Sequence, residues 1–285
     1  MAIRADKDTA PDIESTGPIK PGDSDARVPA LVTQLRSDAY LPNGKQEAGS
    51  TLYTQTISEA VAQLQRDYGI AADGVVGPDT LKVLNFGADD RARALAVALE
   101  RRRWLSRTPP ATRIDVNVAA AELLYYRDGK LVDERKVIVG QPGKETPFLL
   151  APIYRLVANP TWTVPKSIQR GELAGVSGPY LKQHDMVKRG GWIVQRSGPS
   201  NALGLVKFDM RDDVAIYLHD TSNRALFDRS QRHLTHGCVR VDDALGFADR
   251  LAEEEGVADR WHQARASGKQ TFVPLPREIP VRLLY

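Results

Sequence analysis

The segment Ile216 to Val241, IYLHDTSNRALFDRSQRHLTHGCVRV, gathers the residue types that could do chemistry: the chain's single cysteine, Cys238, with His219 and His236, two of its five histidines. A thiol becomes a nucleophile when a base or a positive charge makes it a thiolate, and either imidazole could serve if folding brings it within about 3 Å of the sulfur. Gly237, between His236 and Cys238, can adopt positive φ and lets a substrate carbonyl approach the backbone. Successive amides in such a turn could point at one oxyanion, worth about 2.7 to 4 kcal/mol per donor in measured enzymes. Arg232 and Arg240 make the surroundings electropositive, which favours a thiolate and an anionic substrate group together.

Two plainer readings stand beside this one. A lone cysteine is commonly a small buried hydrophobe. His184, His219, His236 and Cys238 could also be assembled around a metal, but His-x-Cys lacks the usual zinc spacing and no metal is expected. Residue types and spacing license a candidate thiol enzyme and nothing narrower.

The rest of the chain must position this segment. At about 150 residues per domain, 285 residues give two domains. Thirty-nine Lys and Arg against 36 Asp and Glu leave +3, which gives no reason to expect the basic face that nucleic-acid binding requires. The 42% hydrophobic and 26% charged fractions are those of a globular protein. No apolar run approaches the roughly 18 residues of a membrane span. One cysteine excludes an intrachain disulfide and a four-cysteine zinc cluster.

Residues 1–27 hold three prolines, many charges and no apolar stretch long enough for a signal-peptide core, and read as a disordered leader. Either the protein is cytosolic or an export segment is missing from this chain. From residue 28 to 87 the pattern is helical: Leu31 and Leu35 share a face, and Ile57, Ala60, Val61, Leu64 and Tyr68 follow amphipathic spacing. Ala72 to Gly74 make a turn and Pro78 opens another helix, with Leu81 and Leu84 facing inward. The result is three small helices around one core, with a polar loop over residues 41–50. Residues 88–110 form a basic helical linker ending in Arg101-Arg102-Arg103-Trp104, with Ala92, Leu95, Ala96 and Leu99 on one face and Pro109-Pro110 as its stop.

Beyond it the period falls from 3.6 to 2. Ile114, Val116 and Val118 alternate, and residues 123–126 and 137–139 flank the Asp128-Gly129 turn of a hairpin. Further strands are expected at residues 154–158, 192–195, 206–209 and 214–218. Gly and Pro cluster from Pro160 to Pro199, a stretch too long and irregular for a plain connection, as lids and binding loops are.

Two resemblances sharpen this outline. AVAQLQRDYGIAADGVVGPDTLKVL, with its Asp-Gly-x-x-Gly-Pro-x-Thr turn, resembles the peptidoglycan-binding module found beside many cell-wall enzymes; a helical spacer that binds nothing needs the same glycines and core. His219, followed after a loop by Thr235-His236-Gly237-Cys238-Val239-Arg240, resembles the signature of the L,D-transpeptidase catalytic domain, also called the YkuD domain, in its larger YcbB-like branch. LERRRWLSR, KVIVGQPGKETP, NPTWTVPKSI, GPSNALGLVKF and IYLHDTSNRALF are similar to that branch in the same order.

The resemblance implies an α+β chain: a three-helix peptidoglycan-binding-like module, then a β-rich catalytic domain over residues 111–285 whose residues 165–194 cap the substrate. It implies Cys238 as acyl-accepting nucleophile and His219 as base, its tautomer held by the carbonyl of Asp220 or a neighbour. His236 and Gly237 would flank the oxyanion site, His236 alternatively orienting substrate. Arg240 would steady the catalytic loop or a substrate carboxylate, and Asn201, Tyr217 and Trp162 would touch the stem peptide, with fold packing the alternative for each. The implied reaction needs no cofactor: Cys238 attacks a tetrapeptide stem, D-alanine leaves, and an amine of a second stem resolves the thioester into a 3→3 cross-link. Carbapenem β-lactams would acylate the same thiol. A monomer in the periplasm or cell envelope follows. Other outcomes of the same residues are a non-catalytic wall-binding scaffold, or the same thiol chemistry with a protein amine or water as acceptor. The chain departs from large YcbB-like members in a short segment before the module, in ending at PVRLLY where they continue into further strands, and in Thr235 where many have Ser.

Overall fold

Apolar spacing builds the first of two compact units, Met1–Ser106. The computed structural model of the chain describes residues 12–42 and 49–285. Helices α1 (Val28–Ser37), α2 (Gln55–Asp67) and α3 (Pro78–Leu84) bury Leu31, Leu35, Ile57, Val61, Leu64, Leu81 and Leu84 in one cluster. Thr54 caps α2 by accepting the amide of Ile57, and Pro78 sits at the start of α3, where its missing N–H costs nothing. A buried glutamine ties the turn between them. Gln65 accepts the N–H of Gly74 at 2.8 Å and donates to the carbonyl of Val75 and to Thr80, each at 3.0 Å.

The expectation of a disordered leader fails over residues 12–27. Ile13 and Ile19 lie in the helical core, Ile19 bridges Val76, and Ser24 bridges Leu52. Prolines and charges at its other positions hide these two apolar anchors from a composition argument, which averages them away. Residues 1–11 of the leader and 43–48 of the polar loop lie outside the described residues. Helix α4 (Ala88–Arg103) forms as the basic helix expected, and Arg91 pairs with Asp38 at 3.2 Å within the same unit. Leu95 and Leu99 on it are exposed.

The second unit, Arg107–Tyr285, is the sheet-rich part. Its strands are β1 (Arg113–Asn117), β2 (Glu122–Arg127), β3 (Lys130–Gly140), β4 (Leu149–Ala158), β5 (Trp162–Thr163), β6 (Met186–Arg189), β7 (Trp192–Gln195), β8 (Val206–Met210), β9 (Leu218–His219), β10 (His233–Thr235), β11 (Val239–Val241) and β12 (Thr271–Leu284). The hairpin β2–β3 turns at Asp128-Gly129, as the sequence predicts. The large sheet runs β10-β3-β11-β9-β8-β4-β12-β1-β2, and β2 pairs back onto β3. That last pairing closes the strands from β3 round to β2 into a ring, with β10 branching from β3. Closure removes the free edges that an open sheet must protect.

Helices α7 (Ala244–Glu254) and α8 (Ala258–Ala266) share the sheet's apolar cluster through Phe247, Leu251 and Trp261. The residues expected to cap the substrate form a separate small body: α5 (Lys166–Arg170), α6 (Gly178–Gln183) and the sheet β5-β7-β6 around Val164, Leu173, Leu181, Met186 and Ile193. One strand expectation needs correction. Residues 214–218 are not a strand; β9 is confined to Leu218 and His219, because Ala215 takes a left-handed φ of 58° and Asp212 accepts the amides of Val214 and Ile216. An acceptor side chain that captures two nearby amides competes with ladder formation.

Candidate active site

Strands β9 and β11 lie side by side and parallel, pairing Leu218 with Val239 and His219 with Arg240. Cys238 immediately precedes β11 and falls beside Tyr217, whose carbonyl accepts the amide of Val239 at 3.1 Å. Side chains alternate faces along a strand, so Tyr217 and His219 share one face with Cys238 and Arg240. On the other side β8 sets Lys207 opposite His219. The sheet register thus assembles residues that are far apart in sequence.

His219 is buried, and its Nδ1 donates to the carbonyl of Asp220 at 2.5 Å. That bond leaves the lone pair on Nε2. Burial, with the cations of Arg240 and Lys207 nearby, lowers the imidazole to about 3, so the ring is neutral. Cys238 is half-buried, and burial pushes its thiol up. The main chain and hydroxyl of Tyr217 and the charge of Lys207 oppose that push by favouring the thiolate. Lys207 Nζ sits 4.1 Å from the centre of the Tyr217 ring while bonding Asp209 at 2.7 Å. A neutral imidazole beside a protonated thiol is a general base and its substrate, not a preformed ion pair.

The thiol is turned toward the carbonyl of Ala215, 3.8 Å away, and among the described residues no hydrogen bond joins it to His219. A rotation about the Cα–Cβ bond redirects a cysteine sulfur between staggered positions. Catalytic contacts commonly tighten once substrate is bound.

The turn before Cys238 is held from three sides. Gly237 has φ +114°, a conformation that only glycine adopts readily. Its N–H donates to Thr235 Oγ1 at 3.2 Å, and Thr235 Oγ1 donates to the carbonyl of Cys238 at 2.6 Å. The carbonyl of Gly237 accepts from Thr146 Oγ1 at 2.8 Å. Among the described residues the N–H of Cys238 has no acceptor. It is therefore the amide of this turn left open to a ligand, whereas that of Gly237 is already engaged.

The remaining expected residues divide. His236 is exposed and its Nε2 meets Glu172 of the small body at 2.6 Å; Lys144 approaches the same carboxylate at 3.5 Å. Arg240 faces the site with its guanidinium lowered by burial and raised by Cys238; its Nε is buried, and it has no hydrogen bond or ion pair among the described residues. Asn201 does not join the group. Its side chain is fully buried, donating to Arg196 O and accepting from Leu203 N within its own loop, both at 2.8 Å, so burial keeps it from a peptide at the surface. Sequence reasoning missed Lys207, Thr146 and Glu172. Lys207 and Thr146 lie inside the GPSNALGLVKF and KVIVGQPGKETP motifs, which marked them without giving them a role.

Comparison with known proteins gives the families that the chain matches. The family described as "L,D-transpeptidase catalytic domain" matches residues 111–263, and that described as "Putative peptidoglycan binding domain" matches residues 24–84. A protein of Haemophilus influenzae named "Putative L,D-transpeptidase" is 34% identical over 196 residues, covering 60% of this chain. This chain spans 40% of that relative's length. Among solved structures, an L,D-transpeptidase from Stackebrandtia nassauensis is matched over 94% of this chain and 95% of its own, at 17% identity and a TM-score of 0.37. The catalytic domain of an E. faecium L,D-transpeptidase acylated by ertapenem is matched over 48% and 85%, at 16% identity and a TM-score of 0.29.

Proposed function

The chain belongs to the L,D-transpeptidase catalytic-domain family, matched over residues 111–263, and from that premise we propose that it is a cysteine-dependent L,D-transpeptidase forming 3→3 cross-links in peptidoglycan. The observation that carries the reading is the placement of a neutral, buried His219, its Nδ1 bonded to a backbone carbonyl, on the strand beside Cys238. In the first step the sulfur turns from Ala215, His219 Nε2 takes its proton, and the thiolate attacks the carbonyl of the L-centre of diaminopimelate. The Cys238 N–H receives the oxyanion. Collapse breaks the bond to D-alanine, whose amine takes the proton back from His219. An amine of a second stem then attacks the thioester, and the thiol is regenerated.

Arg240 supports the choice of substrate. A half-buried guanidinium without a partner among the described residues is costly unless an anion arrives, and the stem peptide carries carboxylates. Tyr217, whose hydroxyl is influenced by both Trp162 and the sulfur, forms with Trp162 the wall along which the stem lies. The small body of residues 165–194, tied to His236 through Glu172, acts as the cap and limits water at the thioester. The module matched over residues 24–84 grips the wall polymer. This chemistry places the protein in the cell envelope, and among the described residues no helix is long and apolar enough to cross a membrane.

Incubating the protein with a tetrapeptide-bearing muropeptide is expected to release D-alanine and yield a dimer whose mass corresponds to a 3→3 link. Cys238→Ala should abolish both. Unchanged release in that variant sinks the assignment, whereas a tripeptide or a protein conjugate in place of the dimer changes the acceptor to water or a protein amine. A carbapenem should add its mass at Cys238, and a label elsewhere would count against this thiol as nucleophile.

A further inference from the structure

Thr146 lies outside every residue to which the proposed reaction gives a role. It is fully buried in the loop after β3, with its hydroxyl committed in both directions: Oγ1 accepts the N–H of Gly140 at 2.9 Å and donates to the carbonyl of Gly237 at 2.8 Å. Its own carbonyl accepts the hydroxyl of Tyr285. The loop packs directly on Gly140, where a β-carbon would meet Lys144 O at 2.3 Å and Thr146 N at 2.4 Å.

The atom Thr146 holds matters because of what shares its plane. Gly237 C=O and Cys238 N–H belong to one trans peptide and point in opposite directions. Fixing the oxygen on the Thr146 side aims the N–H of Cys238 away from it. This plane turns about ψ of Gly237 and φ of Cys238, and a residue without a β-carbon restricts its ψ least. The Thr235 hydroxyl holds the carbonyl on the far side of Cys238 at 2.6 Å, so the two threonines grip successive carbonyls of the turn.

We propose that Thr146 is a positioning residue for the oxyanion site: its hydroxyl locks the Gly237–Cys238 peptide so that the Cys238 N–H is preset toward the developing negative charge. This rests on Cys238 being the acyl-accepting nucleophile. It separates two reactions of one thiol. Attack on a carbonyl carbon builds an oxyanion and needs the preset amide. Displacement of iodide from iodoacetamide forms the S–C bond, releases iodide and builds no oxyanion.

The test uses the full chain and reads both reactions by mass: alkylation by iodoacetamide and acylation by imipenem. Removing an oxyanion donor outright costs about 10² to 10³, so Thr146→Val, which only unlocks one, is expected to slow acylation about ten- to a hundredfold. Its alkylation should stay within about twofold of the parent, and Thr146→Ser should restore acylation to within about threefold. Acylation of Thr146→Val at the parent rate overturns the inference. So does a parallel fall in alkylation, the mark of a displaced thiol, or failure of Thr146→Ser to rescue. If the valine variant folds poorly, Thr146→Ala against Thr146→Ser gives the same comparison. A parent that alkylates but is never acylated removes the transpeptidase reading as well; one that is acylated equally with and without the Thr146 hydroxyl removes this inference alone.

Discussion

Cys238 and His219 share one face of the sheet as neutral groups, and this sets the pH behaviour of the site. Burial lowers the imidazole to about 3 and pushes the thiol up. The unprotonated base is therefore present throughout the neutral range, and acylation should show no acid limb near 6.5, the ordinary histidine value, falling only as pH approaches about 3. Rates of carbapenem acylation between about pH 4 and 8 check this; a limb near 6.5 would mean that His219 is solvated or that another imidazole is the base. The same shift has a sign for stability. Between the unfolded value of 6.5 and the folded value near 3, the unfolded chain binds a proton that the folded one excludes, so this contribution is lost as pH falls through that window. At this scale the sequence is legible where a residue's proposed role follows from its type: the thiol, the imidazole and the glycine of the turn. It is illegible where the role is a second bond through another residue. Asn201 has the type of a peptide contact and is consumed by its own loop, while Thr146 is one hydroxyl among many until Gly237 O is found at its tip.

Among the elements, the small body of residues 165–194 is joined to the catalytic turn at the His236–Glu172 contact, with Lys144 beside it. All three side chains are at least a third exposed, so the link is worth at most about 1 kcal/mol. Glu172→Gln should leave folding intact and loosen the cap. With the proposed role of this body in limiting water at the thioester, the ratio of hydrolysed tripeptide to dimer is expected to rise by up to about fivefold, as read by mass spectrometry with two stems present. A ratio unchanged by the substitution would show that this contact does not govern closure. Strands with clean alternation, such as β1, and the hairpin at Asp128-Gly129 are readable from period and turn chemistry. Strand β9 is shorter than the composition of Val214 to Leu218 suggests, and nothing local reveals that Asp212 has taken the amides of Val214 and Ile216. Gln65, at a position that amphipathic spacing leaves polar, is the buried tie of the helical module.

The molecule as a whole divides into units that carry different halves of the proposed function. The first is matched by the peptidoglycan-binding family over residues 24–84, and the second closes its own ring of strands around its own apolar cluster. A chain lacking residues 1–106 should still release D-alanine from a soluble stem peptide and should lose co-sedimentation with sacculi. Retained co-sedimentation would show that the helical unit is a spacer. Fold class and the order of the units are legible because helix and strand periods differ and the change falls near Pro109-Pro110. Ring closure is not, since the pairings of β1 with β12 and of β3 with β11 are long-range facts that no local period encodes. The parallel ladder between β9 and β11 has a further consequence. The Cα atoms of His219 and Cys238 are held relative to each other by hydrogen bonds across the sheet, while the chain between them runs through the exposed stretch of Ser222 to Ala225 and past Asp228 and Arg229 before it returns. Their separation along the chain is free to drift without moving either atom. A search for such a pair by fixed spacing would miss relatives that keep the geometry, and the Asp228–Arg229 junction is where a reporter tag could be spliced in while the active centre stays in register.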